Sequence, residues 1–301
     1  MIKAWVPIAT FLAGFSSAWP ATDLTFYTVS DVHYGQAGAE KQANRKKTVE
    51  ELNSLPGKHY PASVGGGPVA APRGVLIPGD LVEWPEESYW KEYLADYGGP
   101  GEVALKFPVY DGLGNHDVWS YGKLQYSSYI RDEFRRRSAK KKDLIRSDFD
   151  HFHYSWDWDG VHFVNLDLFG GESVPNHPIR WDGFGANKFL KEDLEAHVGT
   201  SGRPVFVMQH FPFQDDFTYW SQSEREALVK VLSDYNCIGI LHGHTHNKKL
   251  YGFQGLDIYD DGTAMKADMM VFRITEGRMF GMYFVRLDTD RGTVQARILL
   301  R

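Results

Sequence analysis

Five short apolar segments of this chain each run into a loop that carries residues able to bind metal ions. These residues are Asp31 with His33, Asp80, Asn115 with His116, His210, and His244 with His246. Any one of them alone carries little information, because an isolated histidine is more often a hydrogen-bonded structural residue than a ligand. Their repeated position after a predicted strand indicates a layered fold in which the carboxyl ends of the strands gather into one site.

The order of the predicted elements supports one α/β (α+β) domain. Apolar segments predict strands at residues 24–29, 74–78, 107–110, 154–167 (a hairpin), 203–208 and 238–241. Segments with a helical period predict helices at residues 40–52, 86–97, 186–197 and 223–235. The tail predicts a closing antiparallel meander with turns at residues 276–277 and 291–292. Because no internal repeat or long linker interrupts the pattern, residues 22–301 are predicted to form a single domain.

The spacing of the candidate ligands has a physical meaning. Residues i and i+2 of an extended chain point to the same side, so Asp31 and His33 can bind one ion together, and His244 and His246 can contribute to one cluster. Imidazole, carboxylate and amide donors without a thiolate suit Zn, Mn or Fe. Two such ions about 3.5–4 Å apart can clamp the entering and leaving oxygens of a phosphoryl group and lower the pKa of a shared water.

The composition limits the classes of partner. The formal net charge is −6 and the isoelectric point is about 6.1. These values argue against broad binding of nucleic acid or of anionic membranes, since both need basic surfaces. Cys237 is the only cysteine, so no intrachain disulfide holds the fold, and its apolar neighbours predict a buried thiol. The sequence does not indicate an oligomeric state.

The first residues are typical of an export signal. Lys3 supplies a positive start, residues 4–15 are largely apolar, and Ser16 and Ala18 are small residues at the positions that a signal peptidase reads. The apolar run is shorter than the roughly 20 residues that span a bilayer. We therefore expect residues 1–18 to be a cleaved signal peptide and the mature protein to be secreted or periplasmic. A buried strand or a retained anchor is the alternative.

Residues 118–150 differ from the rest of the chain in their charge. A predicted helical stretch here carries Arg131, Arg135, Arg136, Arg137, Lys140, Lys141, Lys142 and Arg146. Such a run is usually the solvated face of a helix. The functional alternative is that these residues form a basic, cap-like insertion near the site that attracts anionic phosphate substrates.

Taken together, the motifs resemble the five sequence blocks of the calcineurin-like metallophosphoesterase superfamily, in the order of that superfamily. The blocks are Asp31-x-His33, Gly79-Asp80, Gly114-Asn115-His116-Asp117, His210 and Gly243-His244-x-His246. The intervening hairpin and the helix after it are similar to those of extracellular members. The resemblance implies two packed mixed β-sheets flanked by helices, with the site at the carboxyl ends of the strands.

The resemblance also implies roles for the block residues. The first metal ion would be bound by Asp31, His33 and His246, the second by Asn115, His210 and His244, and both by a bridging Asp80. His116 would stabilise the transition state or protonate the leaving oxygen, and Asp117 would orient His116. The implied function is hydrolysis of a phosphate monoester or diester by hydroxide shared between two divalent ions, so a phosphate ester is the expected substrate.

Departures from the family's patterns narrow the function. Protein Ser/Thr phosphatases continue their second block as Gly-Asp-x-Val-Asp-Arg-Gly, whereas Glu83 and Trp84 follow here. Purple acid phosphatases place a ligand tyrosine three residues after the bridging aspartate, and this chain has Glu83 at that position. A nuclease or cyclic-nucleotide phosphodiesterase with the same site, and a non-catalytic metal-binding scaffold, stay open as alternatives.

Overall fold

The computed structural model describes residues 23–60, 62, 66–98, 104–120, 123–124, 128–172, 183–213, 220–275, 278–286 and 293–297. The expected signal peptide at residues 1–18 lies outside them, as do the predicted turns at residues 276–277 and 291–292. Within the described part of the chain, no helix combines the length and the apolar character needed to cross a membrane.

The secondary structure follows the predicted order. The described helices are α1 (Ala39–Ser54), α2 (Glu87–Tyr97), α3 (Asn115–Val118), α4 (Ser128–Ser138), α5 (Ala186–His197), α6 (Gln222–Leu232) and a 3₁₀ helix, Ala264–Lys266. The described strands are β1 (Asp23–Thr28), β2 (Val75–Ile77), β3 (Val109–Asp111), β4 (Trp119–Ser120), β5 (Lys123–Leu124), β6 (Leu144–Asp148), β7 (His153–Trp158), β8 (Val161–Asn165), β9 (Pro204–Met208), β10 (Asn236–His242), β11 (Lys248–Phe253), β12 (Leu256–Asp261), β13 (Asp268–Thr275), β14 (Arg278–Arg286) and β15 (Thr293–Arg297).

Two mixed sheets contain most of these strands. The first has the order β15-β14-β13-β1-β2-β3, in which β1, β2 and β3 are parallel and β13 is antiparallel to β1. The second has the order β11-β12-β10-β9-β8-β7-β6, in which β8, β9, β10 and β12 are parallel. Helices α1 and α2 connect the parallel strands of the first sheet, because parallel neighbours need a crossover. This architecture confirms the predicted fold class.

Aromatic rings hold the two sheets together. Phe26 of β1 and Phe272 of β13 stack within the first sheet, with ring centroids 4.9 Å apart. Phe26 also meets Phe163 of β8 at 5.3 Å and Phe206 of β9 at 5.2 Å, both edge to face across the sheets. Phenylalanine rings bury a large apolar area and prefer such geometries. The contact therefore fixes the middles of strands of both sheets relative to each other.

Part of residues 118–150 forms the predicted helical stretch. Helix α4 carries Arg131, Arg135, Arg136 and Arg137 and ends at Ser138, and the chain then forms β6, which pairs antiparallel with β7 at the edge of the second sheet. Several of the predicted cations bind nearby carboxylates, in the pairs Arg135–Asp150, Arg136–Glu133, Arg137–Asp111 and Arg146–Glu192. The side chain of Arg131 lies outside the described part of the structure. Much of the positive charge is thus compensated locally.

The three consecutive lysines of this segment lie away from the candidate ligands. Lys140, Lys141 and Lys142 line a cavity of about 790 Å³ together with Arg73 and Pro108, which precede β2 and β3. The candidate ligands follow the opposite, carboxyl ends of these strands. The hypothesis of a basic cap near the site therefore needs correction, because these lysines pack at the amino-terminal ends of the strands.

The ion pair between Arg137 and Asp111 generates a stability prediction. Nη2 of Arg137 is 2.6 Å from Oδ2 of Asp111, and the two side chains are 6% and 1% exposed. Burial alone would raise the pKa of Asp111, but Arg137 and Lys141 outweigh it and lower the pKa. Replacing Arg137 by Met would remove the ion-pair partner of a buried carboxylate, so we expect the free energy of unfolding to fall by about 3 kcal/mol in urea denaturation at neutral pH.

Arg136→Met is the matched control. Arg136 lies on the same helix, is 50% exposed and pairs with Glu133, so its loss should cost less than about 1 kcal/mol. Because the folded pKa of Asp111 is lowered, the contribution of the buried pair should fade as the pH falls below about 4. Equal destabilisation by the two substitutions would contradict the role of the buried pair.

Candidate metal centre

The candidate ligands lie together at the carboxyl ends of strands from both sheets. Asp31 and His33 follow β1, Asp80 follows β2, Asn115 follows β3, His210 follows β9, and His244 and His246 follow β10. Asp31, His33, Asp80 and His210 are almost completely buried, and the other three are half-buried. The structure therefore brings together every candidate ligand that the sequence indicated.

One group of donor atoms belongs to Asp31, His33, Asp80 and His246. The Nε2 atoms of His33 and His246 are 3.0 Å apart, and Nε2 of His246 is 3.2 Å from Oδ1 of Asp31. Nε2 of His33 lies 3.8 Å from Oδ1 of Asp31 and 3.5 Å from Oδ2 of Asp80. Two imidazole nitrogens and two carboxylate oxygens thus converge on one point.

A second group belongs to Asp80, His210 and His244, with the amide of Asn115 beside them. Oδ2 of Asp80 is 3.3 Å from Nε2 of His210. Oδ1 of Asn115 is 3.1 Å from Nε2 of His210 and 2.8 Å from Nδ1 of His244. Because the same oxygen of Asp80 belongs to both groups, this carboxylate lies between them.

The donor atoms fit divalent metal ions. Nitrogen and oxygen ligands about 2.0–2.2 Å from an ion lie about 3.0–3.5 Å from one another. Most of the observed donor separations fall close to this interval, from 2.8 Å between Asn115 and His244 to 3.8 Å between His33 and Asp31. Imidazole, amide and carboxylate donors without a thiolate match Zn, Mn or Fe. The residues present therefore fit two ions, without selecting among these metals.

The carboxylates make this region electrostatically favourable for cations. Burial alone would lower the pKa of His33, but Asp31, Glu83 and Asp80 outweigh it and raise the pKa to about 10. Burial alone would also raise the pKa of Asp31 and of Asp80, but the surrounding histidines outweigh it and lower both. The carboxylates are therefore ionised, and their negative potential attracts positive charge.

The backbone is strained at the candidate ligands. Asp31, His33, Asp80, His244 and His246 have φ angles of 52°, 46°, 53°, 73° and 56°. Residues other than glycine rarely adopt this left-handed region, and each instance costs about 1–2 kcal/mol. The extended-chain argument for their spacing is therefore wrong, since left-handed turns aim these side chains at the site. Such strain persists only where the surroundings enforce it, as at ligand-binding sites.

Two glycines let the backbone approach the carboxylates. A Cβ atom at Gly114 would overlap Oδ1 of Asp80, and one at Gly243 would overlap Oδ2 of Asp31. Both carboxylate oxygens of Asp31 accept the backbone N–H of His244 at 3.0 Å. A side chain at either glycine would displace a carboxylate from the donor groups.

His116 lies beside the donor groups and belongs to neither of the two. Its backbone N–H donates to Oδ1 of Asp80 at 2.9 Å, and its ring Nδ1 is 2.8 Å from the carbonyl oxygen of Glu83. A carbonyl oxygen only accepts hydrogen bonds, so Nδ1 carries a proton and Nε2 is left for another partner. The side chain is 30% exposed. His116 is therefore placed to reach a substrate.

The predicted contact of Asp117 with His116 needs correction. The carboxylate of Asp117 accepts the backbone N–H of Val82 at 2.9 Å and that of Gly114 at 2.7 Å. Burial raises the pKa of Asp117 to about 7. Asp117 thus ties the loop after β2 to the loop after β3, and the carbonyl of Glu83 orients the His116 ring.

Glu83 is a site residue that the sequence reasoning did not identify as functional. Its Oε2 is 2.8 Å from Nδ1 of His33 and accepts Nε2–H of Gln36 at 3.0 Å. When an ion replaces the proton on Nε2, the proton kept on Nδ1 by Glu83 leaves the Nε2 lone pair to bind that ion. Its position three residues after Asp80 is the sequence signal that could indicate a role at the site.

The fold and the site together define a two-sheet α/β protein with a candidate binuclear metal centre at its strand ends. The chain belongs to the calcineurin-like phosphoesterase family, whose model matches residues 24–248. This match confirms the resemblance carried by the sequence blocks. A comparison with curated proteins found no significant match.

Solved structures share this fold. A dimetal phosphatase from Danio rerio is 14% identical, with a TM-score of 0.59 over 91% of this chain and 98% of its own. A purple acid phosphatase from yellow lupin (Lupinus luteus) seeds is 12% identical, with a TM-score of 0.59 over 91% of this chain and 53% of its own. The anchor protein in the inner membrane complex of Plasmodium is 12% identical, with a TM-score of 0.57 over 93% and 90%. At such identities the likeness shows the fold alone.

Gly114 generates a prediction about metal binding. In the Gly114→Ala variant, the new methyl group overlaps Oδ1 of Asp80, so the carboxylate between the two groups must move. We expect the affinity for divalent ions to fall about 10–100-fold, as for other residues that support metal ligands. Isothermal titration calorimetry with Mn²⁺ or Zn²⁺ measures this affinity.

Gly252→Ala is the control for adding a methyl group. Gly252 lies in β11, and a Cβ atom there would meet only the carbonyl oxygen of Leu256, at 3.8 Å. Its metal affinity should equal that of the wild type, and circular dichroism should show both variants folded. Wild-type affinity in a folded Gly114→Ala variant would refute the proposed placement of Asp80.

Proposed function

We propose that this protein hydrolyses phosphate esters with the help of two divalent metal ions. One ion would be held by Asp31, His33, Asp80 and His246, and the other by Asp80, Asn115, His210 and His244. The observation that carries the proposal is Oδ2 of Asp80, which lies 3.5 Å from Nε2 of His33 and 3.3 Å from Nε2 of His210. Membership of a phosphoesterase family supports the class of reaction.

When bound, the two ions supply Lewis-acid activation of the phosphoryl group and of the attacking water. The protein's own residues position the reactants and move protons. Glu83 accepts a hydrogen bond from Nδ1–H of His33 and so fixes the orientation of that ring. In its imidazolium form, with a proton on each ring nitrogen, His116 would give the Nε2 proton to the oxygen that leaves with the alcohol and become neutral. The hydrogen bond from Nδ1 of His116 to the carbonyl of Glu83 holds the ring for this transfer.

Two alternatives use the same residues differently. A nuclease or cyclic-nucleotide phosphodiesterase would share the donor groups, but a net charge of −6 does not favour a polynucleotide substrate. A non-catalytic scaffold is a real alternative for this fold, since the Plasmodium protein of the same fold is described as an anchor. The complete donor set and the available Nε2 of His116 favour an enzyme.

His116 and Asp80 should respond differently to substitution. His116→Ala removes the proton donor and no ligand, so kcat should fall about 10²–10⁴-fold while two ions stay bound. Asp80→Ala removes the carboxylate shared by both groups, so metal content itself should fall. Elemental analysis and kcat on a series of phenyl phosphates measure these effects.

The dependence of kcat on the leaving group distinguishes a general acid from a residue with a purely structural role. If His116 protonates the leaving oxygen, its loss should matter least for nitrophenyl phosphate, because nitrophenolate leaves without protonation. Loss of metal from His116→Ala to the extent seen in Asp80→Ala would show that His116 is a ligand or a support, and would remove its catalytic assignment. Full activity of the wild type after exhaustive chelation would overturn the two-metal proposal.

We also propose that the protein is exported and cleaved near Ala18. The proposal rests on the apolar segment at residues 4–15 and the small residues that follow it. The intact mass of the exported form should lack the first residues, about 18 in number. A cytosolic protein that keeps Met1 and the whole segment would contradict this proposal.

A further inference from the structure

An exposed tryptophan stands next to the proposed proton donor. Among the described side chains, the large apolar ones that are exposed are Trp84, at 44%, and Ile145, at 41%. The ring centroid of Trp84 is 5.8 Å from that of His116, with the two planes inclined at 50°. Ile145 lies in β6, at the far edge of the second sheet. An indole that stays exposed does not contribute the favourable free energy of burial in the core. Its position beside a candidate reaction centre therefore indicates a role in binding.

The backbone around Trp84 is fixed before any substrate arrives. The N–H of Glu83 donates to the carbonyl of Tyr34 at 2.8 Å, and the N–H of Glu86 donates to the carbonyl of Trp84 at 2.6 Å. The carbonyl of Glu83 also binds Nδ1 of His116. Adjacent residues of one loop therefore hold the His116 ring and fix the backbone that carries the indole. The two neighbouring rings form one surface, and the fixed backbone lowers the entropic cost of binding there.

The position of this surface indicates which part of a substrate it meets. If His116 protonates the leaving oxygen, the group attached to that oxygen lies within reach of the neighbouring indole. We propose that Trp84 forms a leaving-group subsite and that the preferred substrates are phosphate esters of alcohols carrying an aromatic ring. This inference rests on the proposed function, and it specifies the alcohol rather than the phosphoryl group. Stacking on an indole face is the interaction that selects such a ring.

Benzyl phosphate and ethyl phosphate test the subsite, because both release primary alkoxides of similar basicity and differ mainly in the ring. With metal-loaded protein, Trp84→Ala should lower the ratio of kcat/KM for benzyl over ethyl phosphate about 10-fold. Trp84→Phe should keep most of the ratio, since a flat ring remains. Ile145→Ala, which removes the other exposed apolar side chain, should leave the ratio unchanged.

Other results would overturn the subsite. If Trp84→Ala lowers kcat/KM equally for both esters, Trp84 only supports His116. If Trp84→Ala changes kcat/KM for neither ester, the indole has no role in selectivity. A loss confined to choline phosphate, included as a third ester, would replace ring stacking by recognition of a cation.

Binding of the matching phosphonates separates this inference from the proposed function. 2-Phenylethylphosphonate and propylphosphonate, in which a methylene replaces the bridging oxygen, cannot be hydrolysed at the carbon–phosphorus bond, so calorimetry reports their binding without turnover. If the wild type binds 2-phenylethylphosphonate more tightly and loses this preference in Trp84→Ala, yet cleaves neither ester, the subsite stands and the esterase proposal fails. If it cleaves both esters without a ring preference in either assay, the esterase proposal stands and the subsite fails.

Discussion

The carboxylate of Asp80 is the constraint on which the rest of this structure depends. It is 1% exposed, and one of its oxygens faces imidazoles from both sheets. A buried carboxylate is costly unless positive charge compensates it. Here compensation comes from histidines that reach inward from strand ends, and the same geometry suits metal ions. The packing of the two sheets and the chemistry of the centre therefore depend on the same arrangement of histidines around the Asp80 carboxylate.

The sheets satisfy this requirement through rigidity. The ring contacts among Phe26, Phe163 and Phe206 hold β1, β8 and β9 together at mid-strand, and β1 and β9 lead into loops that carry candidate ligands. Without such a scaffold, five ligand residues would relax from their left-handed backbone conformations. Tertiary packing offsets the strain, and bound ions would offset it further, so the site is stable only as part of the assembled fold.

Much of the fold and of the ligand set could be predicted, because strand ends and ligand residue types are local patterns in the sequence. Contacts that depend on distant residues could not. Glu83 acts on His33, a residue 50 positions away, and nothing in its neighbourhood in the sequence indicates that partner. Arg137 belongs to a run of cations typical of a solvated face, yet it is buried against Asp111. The direction of the Asp117 carboxylate likewise depends on how two loops meet.

The separation of the ligands along the chain has a consequence for how the protein matures. His33 and His246 are 213 positions apart, and their Nε2 atoms meet at 3.0 Å. An ion held between them would cross-link the early and late parts of a chain whose single cysteine permits no intrachain disulfide. Closing so long a loop restricts the unfolded ensemble, as a disulfide does. Neither donor group is complete until His244 and His246 have been synthesised, so metal capture would have to follow synthesis of the whole stretch from β1 to β10.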